Sequence, residues 1–248
     1  MEPVYTPVIT TARLVFAAQG LKFRIEGAHN VPRVGGAVMA INHTGYFDFT
    51  YAGLAALDSK RLVRFMAKTS IFSHRVAGPL MRGMKHIPVD REAGLGSFDA
   101  ARDALRSGEI IGVFPEATIS RSFELKAFKS GTVRLAQEAG VPILPVTIWG
   151  SQRVWTKGQP RKMGRHVIPL RITVGAPSVV GADEKPGLAT VRVRVAMETQ
   201  LRADQALYPA WPDAERHLLP TRLGGTAPTP EEADAMDVAD RKSRRRTS

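Results

Sequence analysis

The sequence predicts an α/β fold: a single domain with a largely parallel, mixed sheet of about seven strands covered by helices. Short apolar runs alternate with helix-like segments along most of the chain. Alternation of this kind is typical of parallel strands joined through helices, with both faces of the sheet covered. A length of 248 residues and a hydrophobic content of 44% allow one large core, so one domain is expected rather than two.

The predicted strands are short apolar runs bounded by turn residues or charges. They are Leu21–Ile25, Ala37–Ile41, Arg64–Ala67, His86–Val89, Glu109–Phe114, Ile143–Trp149 and Leu170–Val174. The predicted helices are Val8–Gln19, Asp48–Leu57, Ile71–Arg82, Phe98–Arg106, Gly131–Ala139 and Leu188–Ala206. At their ends, Ser97 and Ser130 are expected as N-caps, and Gly108 and Gly140 as left-handed residues after the last turn.

The two ends of the chain differ from the segment 21–223, which is expected to form the folded domain. Thr6-Pro7 is typical of a helix start, and the stretch that follows to Gln19 carries Arg13 as its only charge. We expect residues 1–20 to form a helix that either packs on the domain or lies in the plane of a membrane. Residues 224–248 contain few large apolar residues and are expected to be a disordered charged tail.

The chain is strongly basic, with a formal net charge of +12. Nucleic acid, an anionic membrane surface and phosphorylated small molecules are the partner classes that such a charge favours. Cysteine is absent, which excludes disulfides and thiolate nucleophiles and fits a reducing compartment. The sequence shows neither an apolar run of roughly 20 residues nor a secretory signal. We therefore expect a protein that is either cytosolic or attached to the inner face of a membrane, and of the two we predict a peripheral protein on the cytoplasmic face of the cell membrane.

The segment Asn42-His43-Thr44-Gly45-Tyr46-Phe47-Asp48 follows the predicted strand Ala37–Ile41 directly. A histidine that acts as a general base needs an anion to fix its tautomer and stabilise its charged form, and Asp48 is the nearest candidate. On a continuous helix, positions i and i+5 diverge by about 140° and cannot meet. The chain is therefore predicted to turn between His43 and Asp48, with Gly45 supplying the flexibility. The alternative is a structural histidine beside an ordinary helix cap.

Two later clusters also follow predicted strands. Phe114-Pro115-Glu116-Ala117-Thr118 follows the apolar run Ile110–Val113, and Arg91 follows His86–Val89. Ligands of open α/β sheets bind beyond the carboxyl ends of the strands, so His43 and Glu116 are expected at one edge. Arg91 is suited to holding a phosphate through two hydrogen bonds, and Lys126 adds positive charge. Taken singly, Glu116 and Arg91 are more typical of solvated surface residues than of a binding site.

In this order, the clusters resemble the blocks of the glycerolipid acyltransferases, typified by 1-acylglycerol-3-phosphate acyltransferase (PlsC-type). Asn42 to Asp48 resembles the NHxxxxD block, and Gly83 to Arg91 resembles a second block that ends in Asp-Arg. Phe114 to Thr118 resembles the FPEGT block, and Val141 to Val146 resembles the fourth. Two residues depart from the family pattern: Ala117 replaces the usual glycine, and Ile119 stands where arginine is common.

The resemblance implies a glycerol-3-phosphate acyltransferase-like fold. It also implies acyl transfer from acyl-CoA or acyl carrier protein to a hydroxyl of lysophosphatidate or a related glycerol phosphate in phospholipid synthesis. His43 is then the general base and Asp48 its orienting partner. Arg91 is expected to bind the acceptor's phosphate, Glu116 and Thr118 to position its glycerol, and Lys126 to assist.

The same resemblance implies no cofactor, because the acyl thioester is a co-substrate. The expected partners are the thioester donor, the phosphorylated glycerolipid acceptor and an anionic membrane surface, without nucleic acid. The segment Ile71–Met81 and the helix Val8–Gln19 are candidates for lining an acyl groove or contacting lipid.

Other functions remain open at this point. The same fold would serve to acylate a glycolipid or another lysophospholipid, or to hydrolyse the thioester, because water can replace a hydroxyl acceptor. A non-enzymatic nucleic-acid-binding protein is a more distant alternative, supported by the net charge and the arginine-rich C-terminus. A metallohydrolase is weaker still, because no second histidine stands at ligand spacing from His43.

Overall fold

The computed structural model describes residues 2–89 and 95–247, and its centre is a seven-stranded sheet. The strands are β1 (Lys22–Glu26), β2 (Ala37–Ile41), β3 (Val63–Lys68), β4 (Ile87–Val89), β5 (Ile110–Val113), β6 (Ile143–Trp149) and β7 (Pro169–Val174). They lie in the order β1-β7-β6-β2-β5-β3-β4. Within the described residues, β6 and β7 pair antiparallel and all other neighbours pair parallel. The predicted fold class, an α/β domain with a largely parallel mixed sheet, is confirmed.

Helices cover both faces of this sheet. They are α1 (Tyr5–Ala18), α2 (Asp48–Leu54), α3 (Thr69–Phe72), α4 (Ala77–Gly83), α5 (Leu95–Arg106), α6 (Gly131–Ala139), α7 (Pro186–Ala206) and α8 (Pro230–Thr247). One core cluster packs α5, α6 and α7 on one face of β2, β5 and β6. A second cluster packs α1 and α2 on the opposite face. All residues of β2 and β6 are buried, which explains why these strands read as continuous apolar runs rather than alternating ones.

The predicted strands agree with the observed ones to within one residue at each end, and β2 and β6 match completely. The predicted helix Ile71–Arg82 is wrong as one element, because the chain breaks between α3 and α4. His74 Nδ1 accepts hydrogen bonds from the backbone N–H groups of Val76 and Ala77, which start the second helix. Side-chain acceptors that take up the free N–H groups of a first turn favour a new helix start.

Helix ends were predicted with mixed success. Ser97 lies inside α5 and is not its N-cap, and Thr6 lies inside α1, whose N-cap is Val4. Ser130 does precede α6, but among the described residues its side chain makes no capping hydrogen bond. Gly140 adopts the predicted left-handed conformation, with φ of 69°.

The tail that was predicted to be disordered contains α8. Two reciprocal hydrogen bonds stabilise the start of α8. Thr229 Oγ1 accepts from Glu232 N at 3.3 Å, and Glu232 Oε2 accepts from Thr229 N at 2.8 Å. This reciprocal pair, with Pro230 as the first helical residue, is a capping box. The remaining stabilisation comes from ion pairs to distant parts of the chain, which composition alone does not reveal.

The N-terminal helix packs on the domain with part of its surface. Tyr5 and Phe16 are buried, and the Tyr5 hydroxyl donates to the carbonyl oxygen of Val63 at 2.6 Å. Leu14 and Val15 remain exposed at 67% and 43%. Among the helices of the described residues, none is both long and apolar enough to cross a bilayer.

Candidate active site

The candidate site lies where three neighbouring parallel strands end. β2 is paired with β5 on one side and β6 on the other, so their carboxyl ends share one edge of the sheet. His43 follows β2, Glu116 follows β5 and Ser151 follows β6. Open α/β sheets bind ligands at this edge. The sequence-based expectation that His43 and Glu116 would share an edge therefore agrees with the structure.

The chain turns between His43 and Asp48 as predicted, and the two side chains meet. His43 Nδ1 lies 3.0 Å from Asp48 Oδ2. The same oxygen accepts the backbone N–H groups of Thr44 at 2.7 Å and Gly45 at 2.8 Å. Asp48 is fully buried, whereas 18% of the His43 side chain is exposed. The carboxylate of Asp48 thus stabilises the turn and also orients the partly exposed imidazole of His43.

The orientation of the His43 ring is fixed from a second direction. The ring of Phe114 stacks on it with centroids 4.1 Å apart and planes inclined by 24°. With Nδ1 directed to Asp48, Nε2 is the nitrogen left for an incoming group. A neutral ring that donates from Nδ1 carries its basic lone pair on Nε2, which is the arrangement a general base requires.

Glu116 braces the turn from β5. Its Oε1 accepts the backbone N–H of His43 at 2.8 Å, and its Oε2 accepts the backbone N–H of Lys126 at 3.0 Å. Ser120 N donates to the carbonyl oxygen of His43 at 2.8 Å, so both backbone groups of His43 are held by the segment after β5. Burial raises the pKa of Glu116 to about 7, against the opposing effect of the two N–H donors and of His43.

The loop after β6 supports the same turn from the other side. Thr44 Oγ1 lies 3.0 Å from Ser151 Oγ, and Thr156 Oγ1 donates to the carbonyl oxygen of Thr44 at 2.7 Å. A Cβ on Gly45 would lie 3.0 Å from the Ser151 carbonyl oxygen. The glycine is thus needed for close approach to Ser151 and not, as predicted, for unusual backbone flexibility. Sequence reasoning missed Ser151 and Thr156, although Ser151 stands just beyond a predicted strand.

Asn42 has a structural task within the same block. Its side-chain amide donates to the carbonyl oxygen of Ile148 at 3.0 Å and accepts from Ile148 N at 2.7 Å. The side chain thereby extends the pairing of β2 with β6 by one position. Asn42 sets the point at which the chain leaves the sheet and His43 begins the turn.

The two departures from the family pattern have structural consequences. Ala117 has φ of 59°, a left-handed conformation that a glycine adopts without strain. Ile119 is buried at 5% exposure, so an arginine in its place would bury a charge. The neighbouring Arg121 donates from Nη2 to Asp240 Oδ2 of α8 at 2.8 Å.

The other predicted substrate-binding residues have different outcomes. Thr118 is partly exposed, two residues beyond Glu116. Lys126 Nζ forms ion pairs with Asp234 and Asp237 of α8. Arg91 lies outside the described residues, so its role stays a prediction. Within residues 2–89 and 95–247, no three His, Asp or Glu side chains are grouped as metal ligands would be.

The sequence model of the Acyltransferase family matches residues 22–149, which hold β1 to β6 and the turns that carry His43 and Glu116. The chain belongs to this family. The fold and the order of its sequence blocks agree with that membership.

Two relatives of the chain carry names that describe the same activity. The chain is 31% identical over 128 residues to a 1-acyl-sn-glycerol-3-phosphate acyltransferase of Bacillus subtilis (strain 168), a match that covers 51% of this chain and 62% of that protein. It is 28% identical over 210 residues to a Chlamydomonas reinhardtii protein of the same description, covering 83% of this chain and 55% of that protein. The family member described here thus spans less than two thirds of the length of these relatives.

A solved structure shares the fold. The crystal structure of PlsC, a 1-acyl-sn-glycerophosphate (LPA) acyltransferase from Thermotoga maritima, superposes with a TM-score of 0.70. The comparison covers 83% of this chain and 81% of that one at 18% sequence identity. At that identity the likeness establishes the architecture of this family member.

Proposed function

We propose that this protein transfers a fatty acyl group from acyl-CoA or acyl carrier protein to a hydroxyl of lysophosphatidate or a related glycerol phosphate. The single observation that carries the proposal is the contact of His43 Nδ1 with the buried carboxylate of Asp48. This contact between His43 and Asp48 lies at the edge of the sheet where the parallel strands end, in a chain that belongs to the Acyltransferase family. The names of the Bacillus and Chlamydomonas relatives support the choice of acceptor.

In the proposed mechanism, His43 Nε2 accepts the proton of the acceptor hydroxyl as its oxygen attacks the thioester carbonyl carbon. A hydroxyl is a poor nucleophile until its proton is accepted, so the base contributes at this step. The buried carboxylate of Asp48 stabilises the imidazolium that forms. The carbon–sulfur bond then breaks, and a thiolate leaves whose conjugate thiol has a pKa of about 8.5. The imidazolium returns its proton to the thiolate or to solvent, which regenerates the base.

Glu116 contributes chiefly by positioning in this scheme. Both of its oxygens accept backbone N–H groups, of His43 and of Lys126, and its side chain is buried. It therefore holds the His43 turn against the segment after β5. Thr118 is partly exposed two residues beyond Glu116 and is proposed to contact the glycerol portion of the acceptor. Arg91 is proposed to hold the acceptor's phosphate, as guanidinium groups do through two parallel hydrogen bonds.

We further propose that the protein works at the cytoplasmic surface of the membrane, where its lipid acceptor resides. Exposed apolar side chains support contact with lipid: Leu14 and Val15 on α1, and Ile71, Val76 and Leu80 around α3 and α4. The net charge of +12 favours an anionic surface over a neutral one. Each of the two apolar groups is small, which fits peripheral attachment rather than insertion.

A direct assay tests the proposed reaction. The purified protein is offered acyl-CoA or acyl carrier protein thioester, with glycerol 3-phosphate, lysophosphatidate or a neutral lysophospholipid as acceptor. Ester formation on lysophosphatidate with release of free thiol is expected, with lower rates on acceptors that lack a phosphomonoester. Thiol release without any acceptor would instead support a thioesterase. Transfer to the neutral lysophospholipid at the same rate would contradict the proposed acceptor.

A further inference from the structure

Three aspartates of α8 cover three cations of the catalytic domain. Arg121 Nη2 lies 2.8 Å from Asp240 Oδ2, and Lys157 Nζ lies 2.6 Å from Asp237 Oδ1 and 3.0 Å from Asp240 Oδ2. Lys126 Nζ contacts Asp234 and lies 3.3 Å from Asp237 Oδ2. The aspartates recur every third residue, so they face one side of the helix. We call Arg121, Lys126 and Lys157 the basic cluster.

The chain near each member of the basic cluster is hydrogen-bonded to the turn that carries His43 or to Glu116, which holds that turn. The bond is made either by the cluster residue itself or by the residue before it. The backbone N–H of Lys126 donates to Glu116, which in turn holds the backbone of His43. Arg121 follows Ser120, whose N–H donates to the carbonyl oxygen of His43, and Lys157 follows Thr156, whose hydroxyl donates to Thr44. The segments that carry the three cations are therefore held to the same turn as His43.

The contact between α8 and the domain is mainly electrostatic. Ala233 and Asp237 are the residues of α8 that are buried in its described part, while Met236 and Val238 are more than 40% exposed. Burial opposes ionisation of Asp237, yet the hydrogen bond from Lys157 and the charges of Lys157 and Lys126 hold its pKa below the usual range. Ion pairs with little apolar burial are sensitive to salt and to competing anions.

The fit of α8 to the basic cluster is also incomplete. Arg121 Nε is a buried donor without a hydrogen-bond partner among the described residues, and it lies 3.6 Å from Asp237 Oδ1. Buried polar atoms of this kind are costly, and a ligand with more acceptor oxygens would satisfy them better. A phosphomonoester offers three acceptor oxygens and close to two negative charges, which matches a guanidinium and two ammonium groups.

We propose that the basic cluster is a phosphomonoester-binding site and that α8 occupies it with carboxylates when no ligand is bound. The proposal goes beyond the proposed function: Arg91 is proposed to hold the phosphate of the reacting acceptor, and the basic cluster is a separate site for a phosphomonoester. The phosphate comes either from a soluble ligand or from a lipid headgroup in a bilayer. Asp240 directly precedes the basic stretch from Arg241 to Arg246, which an anionic bilayer would attract and so help to lift α8.

Two double variants separate the local contacts from net charge. D237N/D240N removes two charges that face the cluster, and D183N/E231Q removes two from exposed carboxylates outside it. Binding of glycerol 3-phosphate is measured by calorimetry, and binding to vesicles of phosphatidylcholine with phosphatidate by co-sedimentation. We expect D237N/D240N to bind at least one probe about fivefold or more tightly than the wild type. The control variant should stay within about twofold.

The pattern of gains identifies the source of the phosphate. Tighter binding of glycerol 3-phosphate supports a soluble ligand, and a gain confined to vesicles supports a bilayer headgroup. Adding K157Q to D237N/D240N should remove the gain. Equal affinities of D237N/D240N and the control for both probes would overturn the proposal. No turnover is measured, so a protein without acyltransferase activity would still give the binding result.

A measurement on the wild type tests the same proposal without relying on the folding of the variants. Hydrogen exchange of the amides of residues 230–247 is followed with and without each probe. Faster exchange in this segment upon addition of the probe is expected, because the ligand displaces the helix. Unchanged or slower exchange at a concentration where the probe binds would show that α8 does not leave the cluster, and the proposal would fail.

Discussion

The carboxylate of Glu116 accepts the backbone N–H of His43 at 2.8 Å across 73 residues of chain. This bond joins the ends of β2 and β5 at the point where the imidazole leaves the sheet. Glu116 thereby fixes the backbone of His43, while Asp48 and Phe114 fix its ring. The backbone and the ring are held by different side chains, so each can be perturbed separately.

The ionisation of Glu116 should couple stability to pH near neutrality. Its folded pKa of about 7 lies above its unfolded value of 4.5, because burial penalises the charged carboxylate. The folded protein then binds the extra proton, and this contribution to stability is present below pH 4.5 and is lost as pH rises through about 7. Urea titrations at several pH values measure the unfolding free energies of the wild type and of E116Q. The difference between the two should fall by about 3 kcal/mol or less as the pH rises from 4.5 through about 7. A difference that does not vary with pH would contradict the buried-carboxylate account.

Replacement of Gly45 by alanine should distort the turn. The added Cβ would lie 2.9 Å from Ser151 Oγ and 3.0 Å from the Ser151 carbonyl oxygen, so the loop after β6 must move. We expect a loss of about 1–3 kcal/mol in unfolding free energy and a lower kcat. Gly53 in α2 is the matched control, because a Cβ there meets nothing within 4 Å. G53A should stabilise by about 0.5–1 kcal/mol. Equal effects of the two substitutions would argue against the close approach.

Replacement of Ala117 by glycine should stabilise the protein. The residue is exposed and holds φ of 59°, so removing its Cβ relieves strain without removing burial. A gain of about 0.5–1 kcal/mol in unfolding free energy is expected from thermal or urea denaturation. The exposed helical residue Ala100 is the control, and A100G should lose about 1 kcal/mol. A loss at both sites would show that the left-handed conformation carries no strain.

Arg91 should contribute to binding of the acceptor and not to the acyl-transfer step. The prediction rests on the family resemblance, since Arg91 lies outside the described residues. We expect R91A to raise the KM for lysophosphatidate about tenfold or more while kcat for the thioester changes little, as loss of a charged hydrogen bond would. Initial rates over a range of acceptor concentrations measure this split. Unchanged acceptor kinetics would remove Arg91 from the site.

The sequence predicted the sheet well because its central strands are buried on both faces. The bounds of β2 and β6 were predicted to the residue, since a run such as Ala37–Ile41 is apolar throughout and is bounded by Gly36 and Asn42. The meeting of His43 with Asp48 was also predictable, because their spacing after a strand allows contact only through a turn. Local pattern and tertiary structure agree at these positions.

Other features depend on contacts that no local pattern contains. The oxygens of Glu116 bind backbone groups of His43 and Lys126, and a backbone N–H has no sequence signature. The helix α8 was not predicted although Thr229 and Glu232 form a capping box, because residues 224–248 contain few large apolar residues and such a composition is typical of disorder. Its aspartates find their cations on loops more than 75 residues away, which only the folded chain reveals.

The measurement that tests the central claim most directly is the rate of acyl transfer by H43A, compared with the exposed-histidine control H217A. Turnover of acyl-CoA with lysophosphatidate should fall by about 10²–10⁴ in H43A and stay near the wild-type value in H217A. Circular dichroism and the melting temperature should show that both variants remain folded. A folded H43A that keeps more than about a hundredth of the wild-type rate would contradict a general base at His43.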